Sequence, residues 1–172
     1  AFVTSMSEQG VVNAAPFSFF NIVSSNPPMI SVSIQRKKGQ MKDTARNIRT
    51  NKQFVVHIVD EDNVEMVNET AANLPPEESE VKRTGFTLVE STKIDVPGVK
   101  EAKVRFECEL ETALELGGDD ENPGCDLIIA NVKYYHIEES IYEDGRIDPH
   151  ALAAISRLAG NDYAKIGEQF TI

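Results

Sequence analysis

Short apolar runs interrupted by polar residues dominate the first part of the chain. Segments 1–6 (AFVTSM) and 11–23 (VVNAAPFSFFNIV) flank Gly10, which can supply the positive φ angle of a tight turn, so the pattern predicts a β-hairpin. After a pair of prolines, segment 29–34 (MISVSI) alternates with a period of two, which is typical of a half-buried strand. We therefore expect three strands before the first helix.

Helical and strand patterns alternate in the middle of the chain. Segment 42–52 (KDTARNIRTNK) spaces Ala45 and Ile48 for one face of a short helix, with Asp43 or Thr44 as its cap. Residues 85–102 are expected to form short strand and turn pieces. Three further elements are predicted: a strand at 54–60 (FVVHIVD), a helix at 61–74 with Val64, Val67 and Ala71 on one face, and a polar, proline-bearing loop at 74–85.

The second half of the chain contains two long β-rich runs. Segments 103–116 (KVRFECELETALEL) and 125–139 (CDLIIANVKYYHIEE) are joined by an acidic loop, which is the pattern of an antiparallel ribbon. A late helix is predicted over 148–160, with Asp148 as its cap, a proline in its first position and Gly160 at its end. Six or seven strands, three short helices and hairpin connections favour a mainly β fold, a β-barrel with short peripheral helices, over a doubly wound α/β sheet.

Composition narrows the classes of function. The 17 basic and 28 acidic residues give a formal charge of −11, which argues against binding to nucleic acid or to an anionic membrane surface. No apolar run approaches the length of a membrane span, so we expect a cytoplasmic protein that forms a single domain over 1–172. The abrupt, strand-like beginning also predicts a further segment upstream of residue 1.

The cysteines and histidines form no pattern that indicates a metal site or an activated nucleophile. Cys108 and Cys125 are predicted to be free thiols in a reducing compartment, with a disulfide between them as the alternative. His57, His136 and His150 are each predicted to be structural or solvated. We therefore expect neither a bound metal nor a side chain that acts as nucleophile.

A basic cluster stands out in this acidic chain. Between positions 36 and 52 Asp43 is the only acid, and the segment runs from the end of a strand into a helix. Free backbone N–H groups, a hydroxyl and basic side chains could converge there on one phosphate, although a solvated basic loop is the alternative. Seven of the 17 basic residues belong to the cluster: Arg36, Lys37, Lys38, Lys42, Arg46, Arg49 and Lys52.

The usual glycine-rich nucleotide motifs are absent from the sequence. It contains neither GxGxxG between a strand and a helix nor GxxxxGK[ST], so a nucleotide must be bound by another scheme. The run NAAPFSFF offers Asn13 and Ser18 as hydrogen-bonding side chains, and Pro16 prevents complete pairing of the strand. A flat heterocycle with polar edges could use the groups left unpaired.

These motifs occur together in an order and spacing that are specific. The runs VTSMSEQGVVNAAPFSFFN and SSNPPMISVSI, followed by KDTARNI, FVV and the late GRID and RLAGNDYAK, closely resemble the flavin reductase-like family of FMN-binding split barrels, which contains flavoredoxin-type proteins. The resemblance extends over nearly the whole chain, and NAAPFSFF, PP and KDTxxNI are its most specific parts. It implies a Greek-key type of split β-barrel and a homodimer with FMN near the interface.

The resemblance also implies a set of residues that bind FMN. The isoalloxazine ring would be lined by Thr4, Ser5, Asn13, Ala14, Ser18 and Phe19. The phosphate or ribityl chain would be surrounded by Ser33, Arg36, Lys42, Asp43 and Thr44. Asp43 would act through its backbone, because a second negative charge beside phosphate is unfavourable. Near the flavin or the partner subunit would lie Arg157, Asn161 and Tyr163, with an ordinary surface helix end as the alternative.

The function implied is oxidoreduction. Hydride would pass from NADH or NADPH to FMN, and electrons would continue to free flavin, oxygen or another redox acceptor. The cofactor carries this chemistry, so no catalytic side chain is required. One alternative is an FMN-binding electron carrier or flavin-storage protein without a nicotinamide site. Another is a barrel that binds no flavin and uses its apolar hairpin only for dimerisation.

Overall fold

The computed structural model describes residues 1–71, 78–119, 121–158, 160 and 162–172. The strands are β1 (Phe2–Met6), β2 (Val12–Pro16), β3 (Phe20–Ser25), β4 (Pro28–Gln35), β5 (Gln53–His57), β6 (Leu88–Val89), β7 (Gly98–Val99), β8 (Val104–Gly118), β9 (Pro123–Ile137), β10 (Tyr142–Glu143), β11 (Arg146–Ile147), β12 (Ile155–Arg157) and β13 (Tyr163–Lys165). The helices are α1 (Asp43–Asn51), α2 (Val64–Glu69), α3 (Glu80–Thr84) and α4 (Pro149–Leu152), with a 3-10 turn at Glu139–Ile141.

One antiparallel sheet of seven strands forms the body of the molecule. Its strand order is β2-β1-β5-β8-β9-β4-β3, and the other pairs β6-β7, β10-β11 and β12-β13 are separate two-stranded ladders. The long ribbon predicted from the second half of the chain is β8 and β9, which pair from Val104 with Ile137 to Gly118 with Pro123. The mainly β prediction is confirmed. No helix in the described part of the chain is long and apolar enough to cross a membrane.

The single strand predicted over 11–23 is wrong, because the chain turns a corner after Pro16. The run becomes two strands, β2 and β3, which lie at opposite edges of the seven-stranded sheet. The corner is fixed by bonds to distant segments: Phe17 N donates to Ala1 O (2.8 Å), and Ser33 N donates to Phe19 O (2.9 Å). Three residues therefore connect the two edges of the sheet.

The core lies on both faces of the curved sheet. The inner face contains a buried cluster that includes Val3, Phe54 and Ile128. The outer face of the first strands contains a second cluster, where Phe2 packs with apolar side chains of α2, α3 and the segments that follow, among them Val67, Val81, Phe86 and Val99. Alternate residues of β1 thus point to different clusters, as the period of a strand requires.

The histidines have structural or solvated roles, as expected. His57 is fully buried between two backbone groups, with Nδ1 3.1 Å from Phe2 O and Nε2 accepting from Val99 N at 3.0 Å. This arrangement requires the neutral ring with its proton on Nδ1, and burial lowers the pKa of His57 to about 3. His136 Nε2 lies 2.6 Å from the buried Glu107 carboxylate, and His150 is exposed at the start of α4. Cys108 and Cys125 are both free thiols.

Helix boundaries depart most from the sequence predictions. The loop predicted at 74–85 contains α3, which ends at Gly85 in the left-handed region. Asp148 does cap α4, but this helix has four residues rather than thirteen, because Ala153 turns left-handed and β12 begins at Ile155. The predicted cap of α1 is also wrong, since Lys42 occupies that position without a side-chain hydrogen bond. The helix predicted at 61–74 is shorter, as α2 ends at residue 69; residues 72–77 lie outside the described part of the chain.

Candidate functional site

Three cavities adjoin one another at the corner between β2 and β3. Pro16 and Arg157 line all three, whose volumes are about 440, 300 and 260 Å³. The largest lies at the start of α1, and we call it the α1 cavity. The smallest, the apolar cavity, lies beside Phe17, and the third lies between them on the outer side of the corner. Together they form a continuous concave surface from the first turn of α1 to β13.

The α1 cavity has the features of an anion site. The start of α1 projects into it at Asp43 and Thr44, and no side chain caps the helix. Uncapped N–H groups and the positive end of the helix dipole favour a bound anion. Lys37, Lys42 and Arg157 also line this cavity. A phosphate group would meet backbone donors and cationic side chains together.

The cations of the α1 cavity repel one another. The pKa of Lys42 is lowered, first by burial and then by the charges of Lys37 and Arg157. Within the described residues, none of these three side chains takes part in an ion pair. Arg157 is held over the cavity because Nε and Nη2 donate to Gly160 O at 3.1 and 2.8 Å. Two acids also line the cavity, Asp43 and Glu80, but among the described residues neither forms an ion pair with these three cations.

The apolar cavity could accommodate part of a flat ring. Its walls come from the corner, the chain after β5, α2 and the late β12–β13 ladder, with Phe17, Ile58, Val67 and Ile155 among its lining residues. Tyr163 also lines it and is oriented by a hydrogen bond from its hydroxyl to Asn68 Oδ1 (2.8 Å). Aromatic and aliphatic walls with a few oriented polar groups are typical of cofactor sites.

Most of the residues implied by the family resemblance meet at these cavities. The cavity-lining members are Asn13, Ser18, Phe19, Ser33, Lys42, Asp43, Thr44, Arg157 and Tyr163. Lys42 Nζ lies 5.6 Å from the centre of the Phe17 ring, so it connects the α1 cavity with the corner. Asn161 lies outside the described residues.

Three of the implied residues have their polar groups engaged inside the protein. Thr4 is fully buried and its hydroxyl donates to Pro97 O at 2.7 Å. Ser5 is also fully buried, and Ala14 N donates to the carboxylate of Glu80 at 3.0 Å. None of the three lines the cavities described above. Their role toward a flavin stays a prediction.

Arg36 does not line the α1 cavity and pairs with Asp126. Its Nε and Nη2 donate to the two carboxylate oxygens at 2.9 and 2.8 Å, and Arg49 Nη1 approaches the same carboxylate at 3.0 Å. The hydrogen bonds that Arg36 donates to the Asp126 carboxylate raise the pKa of Arg36. Elsewhere in the basic cluster, Arg46 pairs with Asp43. The cluster predicted as one anion site is therefore divided between ion pairs and the α1 cavity.

Sequence reasoning missed Glu80 as a residue of this site. Its carboxylate lines the α1 cavity and accepts hydrogen bonds from Asn13 Nδ2 and Ala14 N. The run SEVKRTG begins with Ser79 and ends with Gly85. This pattern is compatible with a short helix and could have indicated α3. Nothing local could have indicated that Glu80 faces β2, because the partners are about 67 residues apart in sequence.

Comparisons with known proteins identify the family and the fold of the chain. A family model described as a flavin reductase like domain matches residues 1–152. The solved structure of nitrilotriacetate monooxygenase component B from Bacillus cereus is 57% identical, with a TM-score of 0.98 over 100% of this chain and 85% of that chain. A 2-nitrobenzoate 2-nitroreductase from Pseudomonas fluorescens is 28% identical, with a TM-score of 0.87 over 100% and 82%. A split-barrel protein from Shewanella frigidimarina, 21% identical, matches in fold with a TM-score of 0.86 over 99% and 83%.

The residues present fit the cofactor that the sequence resemblance implied. A phosphate suits the uncapped helix start of the α1 cavity and its three cations, which form no ion pair among the described residues, and a flat ring suits the adjoining apolar walls. The split-barrel fold and FMN as the cofactor are confirmed at the level of the family. The chain belongs to the flavin reductase-like family of FMN-binding split-barrel proteins.

Proposed function

We propose that this protein is a flavin reductase that binds FMN at the corner between β2 and β3 and accepts hydride from NADH or NADPH. The observation that carries the proposal is the α1 cavity, where Lys37, Lys42 and Arg157 surround an uncapped helix start without a paired acid among the described residues. A phosphate dianion would relieve the repulsion between these cations, so binding favours the phosphorylated flavin over riboflavin.

Different residues around the cavities hold different parts of the cofactor. The backbone N–H groups of the first turn of α1, with Lys42 and Arg157, bind the phosphate. The corner and Tyr163 orient the ring and exclude water from one of its faces. FMN, when bound, supplies the two-electron redox chemistry. The chain's contribution to hydride transfer is to leave one ring face open to a nicotinamide at roughly 3–3.5 Å.

A second copy of the chain is the partner that completes this site. Phe19, Ile22 and Val23 lie close together at the corner and on edge strand β3, and they are 62%, 72% and 51% exposed. Contiguous exposed apolar side chains on a strand edge are typical of a subunit interface. Because Phe19 also lines the cavity on the outer side of the corner, the partner subunit would cover the flavin site.

The acceptor of the electrons is proposed from the relative with 57% identity. That protein is component B of a monooxygenase. By analogy, this chain would supply reduced FMN to a separate oxygenase, and a cytoplasmic location would suit that role. The relative named as a 2-nitrobenzoate 2-nitroreductase supports a second possibility, the direct reduction of an organic acceptor at the same site.

The absorption spectrum and NAD(P)H oxidation test the proposal. The purified protein should take up FMN with a change in flavin absorbance, and it should oxidise NADH or NADPH only when FMN is present. Protein that binds FMN and is reduced by dithionite but is inert to both nicotinamides would instead be an electron carrier. Protein that takes up no flavin would overturn the proposal. Adding an aromatic nitro compound in place of free flavin distinguishes direct reduction from supply of reduced FMN.

A further inference from the structure

Glu80, in the first turn of α3, is a buried carboxylate on the wall of the α1 cavity. It is 6% exposed and accepts hydrogen bonds from Asn13 Nδ2, at 3.1 and 3.0 Å, and from Ala14 N, at 3.0 Å. Across the described residues it has no ion-pair partner. A buried charge is costly without hydrogen-bond partners, so these amide donors are what keeps Glu80 in this position.

The protonation state of Glu80 follows from its surroundings. Burial raises its pKa, whereas the hydrogen bonds from Ala14 N and Asn13 favour the ionised form. Asp43, on the facing helix α1, acts in the same direction as burial. Asn13 Nδ2 and Ala14 N both lie 3.0 Å from Oε2, so this oxygen can accept from both donors whether or not the other oxygen carries a proton. The pKa of Glu80 is raised overall, with burial as the main cause, and its carboxyl group faces Asn13 and Ala14 as an acceptor in either protonation state.

The carboxylate determines which way the Asn13 amide points. Because Glu80 accepts hydrogen bonds, Asn13 turns Nδ2 toward it and Oδ1 toward the opposite side. There Oδ1 accepts from Thr44 Oγ1 at 2.7 Å and from Ser5 Oγ at 3.4 Å. Ser5 Oγ in turn accepts from Asn47 Nδ2 at 3.3 Å. A directional chain of hydrogen bonds thus runs from α3 through β2 to α1.

This chain of hydrogen bonds ends in the first turn of α1, where the phosphate is expected to bind. Thr44 donates its hydroxyl proton to Asn13, so its side chain anchors the helix start to β2 and leaves its backbone N–H for a ligand. We propose that Glu80 is a positioning residue for FMN: through Asn13 and Thr44 it holds the first turn of α1 in the geometry that receives the phosphate. The inference rests on the proposed function of the same site.

Glu80→Gln tests this role with little change of shape. The variant replaces one of the two acceptor oxygens with an NH₂ group, so that at least one N–H donor of Asn13 or Ala14 faces another donor. The expected result is a rise of about tenfold in the Kd for FMN, as for the loss of one charge-assisted hydrogen bond. Riboflavin, which lacks the phosphate, should change by less than about twofold in Kd. Titrations of flavin fluorescence with the purified full chain measure both constants.

Exchanging the amide and the carboxylate between positions 13 and 80 tests whether FMN affinity depends on matched donors and acceptors at this contact. In the double variant Asn13→Asp with Glu80→Gln, the carboxylate lies on β2 and the amide on α3, so every donor again faces an acceptor and the net charge is unchanged. We expect its Kd for FMN to return to within about threefold of the wild-type value, whereas Asn13→Asp alone binds FMN more weakly than wild type.

The controls separate failure of this inference from failure of the proposed function. Glu78→Gln removes the same charge from an exposed position two residues away and should leave both flavin affinities unchanged. A wild-type chain that binds no FMN would overturn the proposed function. Wild-type binding with undiminished FMN affinity in Glu80→Gln would overturn the positioning role, as would equal losses for FMN and riboflavin. If Glu80→Gln does not fold, a folded double variant that retains the preference for FMN supports the role, and one without it overturns the role.

Discussion

The basic segment 36–52 contains two kinds of cation that differ in their partners. Arg36 forms a bidentate ion pair with the fully buried Asp126, and neither residue lines the cavities of the candidate site. Lys37 and Lys42, from the same segment, line the α1 cavity and have no acid paired with them among the described residues. We call these the paired half and the unpaired half of the segment.

The pKa shifts of the two halves have opposite signs. The carboxylate of Asp126 raises the pKa of Arg36, whereas burial and neighbouring cations lower the pKa of Lys42. A cation next to an acid stabilises the folded chain, while cations gathered without an acid destabilise it until an anion binds. The comparison teaches that the partners of a basic residue, more than its place in a basic run, distinguish a structural cation from a binding one.

Breaking the paired half should have the largest effect. Asp126→Asn leaves two arginine side chains without their shared carboxylate, one of them largely buried, and should lower the free energy of unfolding by about 3–5 kcal/mol. Urea denaturation of the flavin-free protein measures this change. Glu115→Gln is the matched control, since this acid contacts the same arginines from a partly exposed position and should cost about 0–1 kcal/mol. Equal effects of the two substitutions would contradict the assignment.

Breaking the unpaired half should change binding rather than stability. Lys42→Gln removes one phosphate contact and should raise the Kd for FMN by about 10- to 100-fold, while the free energy of unfolding without FMN stays within about 0.5 kcal/mol. Lys38→Gln removes the same charge from an exposed residue of the same segment that does not line the α1 cavity, and it should leave FMN affinity unchanged. A weaker binding of riboflavin in Lys42→Gln would argue for a general effect on the site.

Ionic strength should affect FMN binding by the unpaired half more than the stability contributed by the paired half. Raising salt from about 0.05 to 0.5 M screens the phosphate contacts of the unpaired half, so the Kd for FMN should rise several-fold while that for riboflavin changes little. The largely buried pair of Arg36 and Asp126 is shielded from salt, and the free energy of unfolding should respond less. An FMN affinity that does not respond to salt would contradict a phosphate site built on these cations.

The smallest effect is expected from pH. The relevant pH range lies between the lowered pKa of Lys42 in the folded chain and the ordinary lysine pKa of about 10.4. In this range Lys42 is deprotonated in the folded chain but protonated in the unfolded chain. The unfolded state then binds more protons, so stability without FMN rises with pH in this window. FMN affinity should fall in the same window, because the neutral amine no longer pairs with phosphate. Comparing wild type with Lys42→Gln isolates the effect, and identical pH profiles would contradict it.

The fold could be predicted from sequence where the signal is local. The alternating run that became β4 and the two long runs of β8 and β9 needed only the period of a strand. The corner after Pro16 could not be predicted in this way, because it depends on hydrogen bonds to Ala1, which precedes β1, and to Ser33 in β4. Local alternation indicates that a segment is extended, but it does not indicate which edge of the sheet the segment occupies.

The sequence could predict many residues of the candidate site, but not which side chains form hydrogen bonds or ion pairs with one another. The family resemblance and the basic run predicted Lys42 and Thr44 as site residues, and both line the cavity at the start of α1. The sequence gives no sign that Arg36 meets an acid 90 residues away, or that Asn13 binds Glu80 and Thr44. These pairings arise from the order of strands in the sheet and from the position of α3, both of which depend on contacts between distant segments.

The short connection between the two edge strands also limits how the molecule can move. In a flat sheet of seven strands about 4.8 Å apart, the edges would be separated by about 29 Å. The chain from Pro16 to Phe20 can reach at most about 14 Å. The sheet must therefore stay curled, and the seam beside the cavities cannot widen unless strands separate. A ligand therefore has to reach the cavities while the barrel keeps a fixed circumference.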